Sequence, residues 1–215
     1  MTNGKYPLLA REGWAHIVII LAAAALAHYF AGASWAIPLW VIAVFVVQFF
    51  RDPPRKLTVV PHGLVAPADG KVIALGETFD PYLKRQSRRI SIFMNVFNVH
   101  SNRIPVDGKV MERWYSQGAF LNAALDKASE HNERNALWIR TDGGEDIVVV
   151  QVAGLIARRI LCYVEAGQRV TAGQRYGFIR FGSRVDVYLP LNSRFEAALG
   201  DKTCAVSDVI AVLEK

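Results

Sequence analysis

Two apolar runs that contain no Asp, Glu, Lys or Arg lie side by side near the N-terminus. They are Trp14 to Phe30 (WAHIVIILAAAALAHYF) and Ser34 to Phe50 (SWAIPLWVIAVFVVQFF), with only AGA between them. Each is about 17 residues long, the short end of what crosses a bilayer core as a helix. A secretory signal peptide would have a shorter apolar region followed by a cleavage site rather than by a second apolar run. A helical hairpin buried in protein, to which His16, His28 and Gln48 would be suited, competes with a membrane-embedded hairpin, spanning or re-entrant. The membrane hairpin is the expectation. Trp14, Tyr29 and Trp35 are side chains of the interfacial kind, and Trp40 lies deeper in its run. Lys5 and Arg11 precede the pair and Arg51, Arg55 and Lys56 follow it. Positive charge on both flanks would keep both ends on the cytoplasmic face of the cell membrane.

Consecutive prolines in Arg51-Asp52-Pro53-Pro54-Arg55 stop any helix, so the expected organisation is a segment 1–13, a hydrophobic hairpin 14–50 and a domain 51–215. The formal net charge of +6 lies mostly outside the hairpin, with a cluster at Lys84, Arg85, Arg88 and Arg89. A basic domain on a membrane tether is suited to anionic lipid headgroups. No nucleic-acid-binding motif accompanies the charge, and no nucleic-acid partner is expected. Cys162 and Cys204 have neither metal-site spacing nor a disulfide framework, which fits a reducing compartment.

Beyond Leu57 the texture changes to short apolar runs separated by turn signals. Leu64 to Ala74 reads as two short strands around Asp69-Gly70, and Arg89 to Val99 as a strand ending at His100. Ala136 to Arg140, Ile147 to Ala153, Ile156 to Val164, Asp186 to Pro190 and Cys204 to Leu213 read as further strands, with a turn at Asp142-Gly143-Gly144-Glu145. Only Phe120 to His131 reads as a helix. Glycines at 167, 173, 177 and 182 punctuate very short strands, a pattern that looks like the barrel-sandwich modules that carry lipoyl or biotinyl groups. The expected fold is α+β and mostly β: a barrel-sandwich-like domain preceded by the helical hairpin.

Within this pattern Gly182-Ser183 is the pair with chemical potential. Glycine has no Cβ to block approach to its carbonyl carbon and accepts backbone angles closed to other residues. A serine hydroxyl folded back onto that carbonyl can convert the amide to an ester. The competing reading of the same dipeptide is a plain turn between strands.

Asn132-Glu133-Arg134-Asn135, QVAGLIARRI (Gln151 to Ile160), Gly177-Phe178-Ile179-Arg180 and FGSRVDVYLP (Phe181 to Pro190), in that order, resemble the pyruvoyl-dependent phosphatidylserine decarboxylases, in their short bacterial and archaeal branch. The Asp69-Gly70 turn and FMNVFNVHSNRIP (Phe93 to Pro105) match as well, and the resemblance covers about Arg51 to Asp201. It implies an inactive proenzyme in which Ser183 attacks the Gly182 carbonyl. Elimination and hydrolysis then leave a pyruvoyl group in place of Ser183, with release of ammonia. The products would be a large chain, 1–182, and a small chain, 183–215, held together as a heterodimer, with a higher oligomer compatible with it. The implied reaction converts phosphatidylserine to phosphatidylethanolamine and carbon dioxide through a Schiff base between the pyruvoyl ketone and the substrate amine. The electron sink is then internal, and no other organic cofactor is required.

The resemblance also assigns roles. His100 would take the Ser183 proton and later return one to the decarboxylated carbon. Asp69 would hold its imidazole, although Ala68-Asp69-Gly70 is equally a good turn. The long-chain branch has a second histidine where Arg103 stands, so His100 serves both steps here or Arg103 takes an electrostatic part. Arg103, Arg158 and Arg184 are candidates for the substrate phosphate or carboxylate, as Arg159 is, with a solvated surface role as the alternative for each. Asn132 to Asn135 could make a cap and turn or shape the pocket. A non-enzymatic, membrane-tethered barrel-sandwich adaptor is the competing function. A lipoyl or biotinyl carrier would need a lysine at a hairpin tip, which Glu165 to Ser183 lacks, and no metal is expected because His100 has no partner at ligand spacing.

Overall fold

A computed structural model describes residues 6–119, 121–124, 131–154, 159–180 and 182–214. The chain divides into two compact units, one ending at Pro54 and the other beginning at Arg55.

In the first unit the charge-free runs form helices α1 (Trp14–Ala31) and α2 (Ala33–Phe49). Gly32 turns the chain between them at φ +84°, a backbone that a Cβ would strain. The far ends are tied by backbone bonds from Ala10 N–H to the Phe50 carbonyl and from Asp52 N–H to the Leu8 carbonyl, each 2.7 Å. The residues this pair buries are mostly small, Ala24, Ala36 and Ala43, whereas Val18, Ile19, Leu26, Phe30, Trp35, Val41 and Val44 are exposed. Both helices are thus apolar on every side, unlike a helix that packs one stripe on a core.

Among its described residues the second unit has fourteen strands. They are β1 (Gly63–Val65), β2 (Gly70–Asp80), β3 (Arg85–Met94), β4 (Ser101–Arg103), β5 (Gly108–Ser116), β6 (Arg134–Thr141) and β7 (Asp146–Val152), then β8 (Ile160–Cys162), β9 (Arg169–Val170), β10 (Arg175–Ile179), β11 (Ser183–Leu189), β12 (Ser193–Phe195), β13 (Lys202–Thr203) and β14 (Val209–Leu213). An eight-stranded antiparallel sheet has the order β13-β2-β3-β11-β7-β6-β5-β9, and two three-stranded sheets run β4-β10-β8 and β1-β14-β12. The chain is therefore α+β with β dominant.

Strand β11 sits inside the large sheet, with Val185 opposite Ile92 of β3 and Gln151 of β7. Side chains alternate across a sheet. Val185, Val187 and Leu189 enter the main core with Ile90, Ile92, Met94, Ile147 and Val149. Tyr188 packs on the opposite face with Val148, Val150 and Val152.

Several strand boundaries differ from the sequence expectation for local reasons. Strand β3 stops at Met94 because Asn95 and Asn98 take the backbone into a turn. The Asn98 side chain accepts from Asn95 N–H, and the Asn95 side chain accepts from Phe97 N–H, both at 2.9 Å. The last strand begins only at Val209, since Cys204 to Asp208 forms a turn held by Cys204 N–H to the Asp208 carboxylate at 2.7 Å. Strand β5 escapes an alternation test because its register shifts between Val110 and Glu112. The expected helix over 120–131 falls largely on residues 120 and 125–130, and part of the expected strand over 156–164 on 155–158, all outside the described residues.

Candidate active site

The Gly182-Ser183 bond lies at the entry to β11. Gly182 has φ +56°, in the left-handed region where a side chain would be strained. Its carbonyl packs so closely on Gly154 that a Cβ at position 154 would overlap the carbonyl oxygen. Glycine at 154 therefore makes the room for the Gly182 carbonyl. Ser183 pairs with Met94 of β3 and is fully buried. Its hydroxyl has no hydrogen-bond partner among the described residues. A buried hydroxyl without a partner carries a desolvation cost of about 1–3 kcal/mol, which makes it a site to explain rather than a packing detail.

His100 follows the Asn95–Asn98 turn and is also fully buried. Its Nδ1 lies 3.0 Å from the Asn98 carbonyl. A carbonyl only accepts, so Nδ1 carries the proton and Nε2 is the basic nitrogen. The ring stands 6.4 Å from that of Phe178, centroid to centroid, and the His100 carbonyl accepts from Ile179 N–H at 3.3 Å. This anchors His100 to the end of β10, three residues before Gly182.

Asp69 is held elsewhere. One carboxylate oxygen accepts from Arg55 Nη2 at 2.6 Å and the other from Ala205 N–H at 2.8 Å. The same Arg55 guanidinium donates to Cys204 Sγ at 2.6 Å. Asp69 therefore joins the start of the unit to the turn before β14. In this structure the acceptor that sets the His100 tautomer is the Asn98 carbonyl.

Of the arginines, Arg184 is adjacent to Ser183 in sequence but lies on the other face of the sheet. It is fully buried, with Nε 2.9 Å from Asp186 Oδ1 and Nη2 3.1 Å from Oδ2, and its Nη1 donates to the Ala123 carbonyl at 3.1 Å. This ion pair, with one hydrogen bond from Nη2 to Oδ2, lies inside the protein rather than at the solvated surface. Arg103 is nearly buried and its Nη1 approaches the Gly173 carbonyl at 3.5 Å. Alternation along β4 sets Arg103 on the face opposite Asn102. Arg158 is outside the described residues.

The neighbourhood joins residues of the Asn132–Asn135 motif to Arg113, Gln151 and Asn102, to which the sequence assigned no role. Arg113 Nε donates to Asn135 Oδ1 at 2.8 Å, and Asn135 Nδ2 to Gln151 Oε1 at 2.9 Å. Gln151 Nε2 donates to Asn102 Oδ1 at 2.8 Å, and Asn102 Nδ2 to Met94 Sδ at 3.7 Å. The chain of amides thus runs from β6 through β7 and β4 to the residue opposite Ser183. Asn132 donates to the Leu121 and Ala153 carbonyls, both at 2.7 Å, and Glu133 accepts from Tyr115 OH at 2.9 Å. These two side chains shape the surroundings of Gly154 instead of capping a described helix. Burial pushes the Tyr176 phenol well above its usual value of 10, so the core beside β10 stays uncharged there. The only advance signal for Asn102 and Gly154 was their position inside the two long motifs. Among the described residues no cluster of three His, Cys, Asp or Glu side chains could hold a metal ion.

Comparison with known proteins agrees with this arrangement. Residues 42–211 match the family model for phosphatidylserine decarboxylase. The chain is 61% identical to the phosphatidylserine decarboxylase proenzyme of Aromatoleum aromaticum over 98% of both chains. It is 57% identical to the proenzyme of Nitrosomonas europaea over 96% of this chain and 95% of that one, and 56% identical to the proenzyme of Burkholderia ambifaria over 99% and 100%. With a match across most of its length and relatives above half identity end to end, the chain belongs to the phosphatidylserine decarboxylase family.

Proposed function

We propose that this chain is a membrane-associated decarboxylase that converts phosphatidylserine to phosphatidylethanolamine after cutting itself between Gly182 and Ser183. The observation that carries the reading is the junction itself: a left-handed glycine with its carbonyl against Gly154, followed by a buried serine hydroxyl that has no partner among the described residues. The relatives' description as proenzymes supports maturation by cleavage.

The chain's own residues supply the steps. Ser183 Oγ attacks the Gly182 carbonyl carbon, and the amide becomes an ester as the nitrogen of residue 183 is released. His100 takes the hydroxyl proton at Nε2, its tautomer set by the Asn98 carbonyl. Loss of the Gly182 carboxylate by β-elimination, then hydrolysis with release of ammonia, leaves a pyruvoyl group at the head of the small chain. That group supplies an electrophilic carbonyl that draws electrons from the bond to the departing carboxylate. Its surroundings fit, because Met94 and the fully buried Asn102 and Gln151 exclude water from an otherwise reactive ketone. His100 holds a proton that it can deliver to the carbon that loses carbon dioxide.

Arg103 and Arg158 are the cations assigned to the anionic headgroup, while Arg184 pairs with Asp186 of its own strand and ties β11 to the Ala123 carbonyl. Asp69 joins the large chain to the small one through Ala205. The small chain would remain attached because β11 lies between β3 and β7, β13 pairs with β2, and β14 pairs with β1. The 21-residue apolar helix Arg11–Ala31 is long enough to cross a bilayer, and the flanking positive charges favour a cytoplasmic domain. Mass spectrometry of purified protein should find a C-terminal fragment starting at position 183 with a carbonyl-reactive, amine-free terminus. Ser183→Ala should give one intact chain without activity. A wild-type chain that releases carbon dioxide from phosphatidylserine while uncut would overturn the reading.

A further inference from the structure

The Asn102 amide contacts Gln151 and Met94, which lie on the sheet face that carries Ser183. Its Oδ1 is fixed as an acceptor by Gln151 Nε2 at 2.8 Å, and the Gln151 amide is fixed in turn by Asn135 at 2.9 Å. With that oxygen committed, the two hydrogens of Asn102 Nδ2 point away from Gln151. Among the described residues they have one acceptor, the Met94 thioether at 3.7 Å, and a thioether is a weak one. Gln151 belongs to β7 and Met94 to β3, the two strands on either side of β11. The Asn102 carboxamide therefore reaches across the strand that begins at Ser183. Met94 is the direct pair of Ser183, so an underused buried donor stands one side chain away from a buried hydroxyl that has no partner among the described residues.

We propose that Asn102 Nδ2 donates to the oxygen carried at position 183, first the Ser183 hydroxyl as it loses its proton to His100. This rests on the self-cleavage reading and adds a catalytic residue to it. A donor held in place before reaction stabilises charge as it forms, with little reorganisation. The orientation is inherited from Arg113, Asn135 and Gln151, which form a continuous hydrogen-bonded relay. The neutral amide suits this role because it donates at every pH at which His100 can accept.

The test follows cleavage of newly made full-length precursor in phosphatidylserine-containing vesicles by denaturing electrophoresis. Asn102→Leu removes the donor and should slow cutting about a hundredfold, the loss typical of one such hydrogen bond. Asn102→Asp keeps the acceptor for Gln151 and can donate only when its carboxyl is protonated, an equilibrium that burial raises. Its cutting rate relative to wild type should therefore climb between pH 8 and pH 6, whereas the relative rate of Asn102→Leu should stay flat. A merely structural role would lower both variants without this pH dependence. Asn102→Asp with a flat relative rate, or either variant cutting as fast as wild type, would overturn the assignment. Wild-type precursor that never cuts at Gly182-Ser183 would instead remove the reading on which it rests.

Discussion

The helical pair and the β unit bury opposite things. In α1 and α2 most of the large apolar side chains face outward, and Ala24, Ala36 and Ala43 take most of the buried positions beside Ile17 and Phe49. In the β unit the core side chains face inward, and Arg184, His100, Ser183 and the amides Asn102, Asn132, Asn135 and Gln151 are fully buried with them. The helices satisfy their backbone internally and need no polar partners, a solution suited to lipid. The strands solve a different problem: they hold specific polar groups away from water around one peptide bond. His100, Asn102, Gln151 and Ser183 are among these buried polar groups.

The largest effect expected from breaking this contrast is at Arg184. Arg184→Met removes the cation paired with the buried Asp186 carboxylate and should cost about 3–5 kcal/mol in denaturant unfolding. Replacing both, Arg184→Met with Asp186→Leu, should recover most of that loss, and a double variant as unstable as the single one would mean the pair is not the source. Next comes the exposed face of α1. Ile19→Arg should disfavour membrane insertion by about 2.5–3.5 kcal/mol, read as protein released by carbonate extraction. Val59→Arg, at an equally exposed apolar position of the β unit, should change stability by less than about 0.5 kcal/mol.

Gly154→Ala pushes a methyl into the Gly182 carbonyl. Displacing the reacting carbonyl should slow cleavage about a hundredfold, measured as the uncut fraction over time. The smallest effect belongs to the rim. Burial opposes ionisation of Asp146, but hydrogen bonds from Arg140 and Trp138 prevail and hold its carboxyl below 3.8. A depressed carboxyl contributes stability above its unfolded value, and that stability is lost as pH falls through the folded one. Asp146→Asn should therefore lower the melting temperature slightly at neutral pH and flatten the acid side of the profile below pH 4, where wild type loses the same contribution.

Much of this was legible before any coordinates. The apolar runs declared helices, Asp142-Gly143-Gly144-Glu145 declared a turn, and Gly182-Ser183 stood out within its motif. Asp69 was not legible in the same way, because its partners Arg55 and Ala205 lie 14 and 136 residues away. Arg184 looked suited to a ligand by adjacency, yet neighbours along a strand point to opposite faces. Asn102 drew no attention because an asparagine beside a candidate histidine is ordinary until its amide is found between Gln151 and Met94.

By itself the sequence determined what local physics can decide: helices where charge is absent, turns where Gly, Asn and Asp collect, and a glycine-serine bond open to attack. Only the tertiary structure decided which side chains surround that bond. Strand β11 takes its neighbours from β3 and β7, far apart in the chain, and a register slip of one residue would exchange the faces of Ser183 and Arg184. Pairing between distant strands is set by the whole core, so no short stretch of sequence contains it.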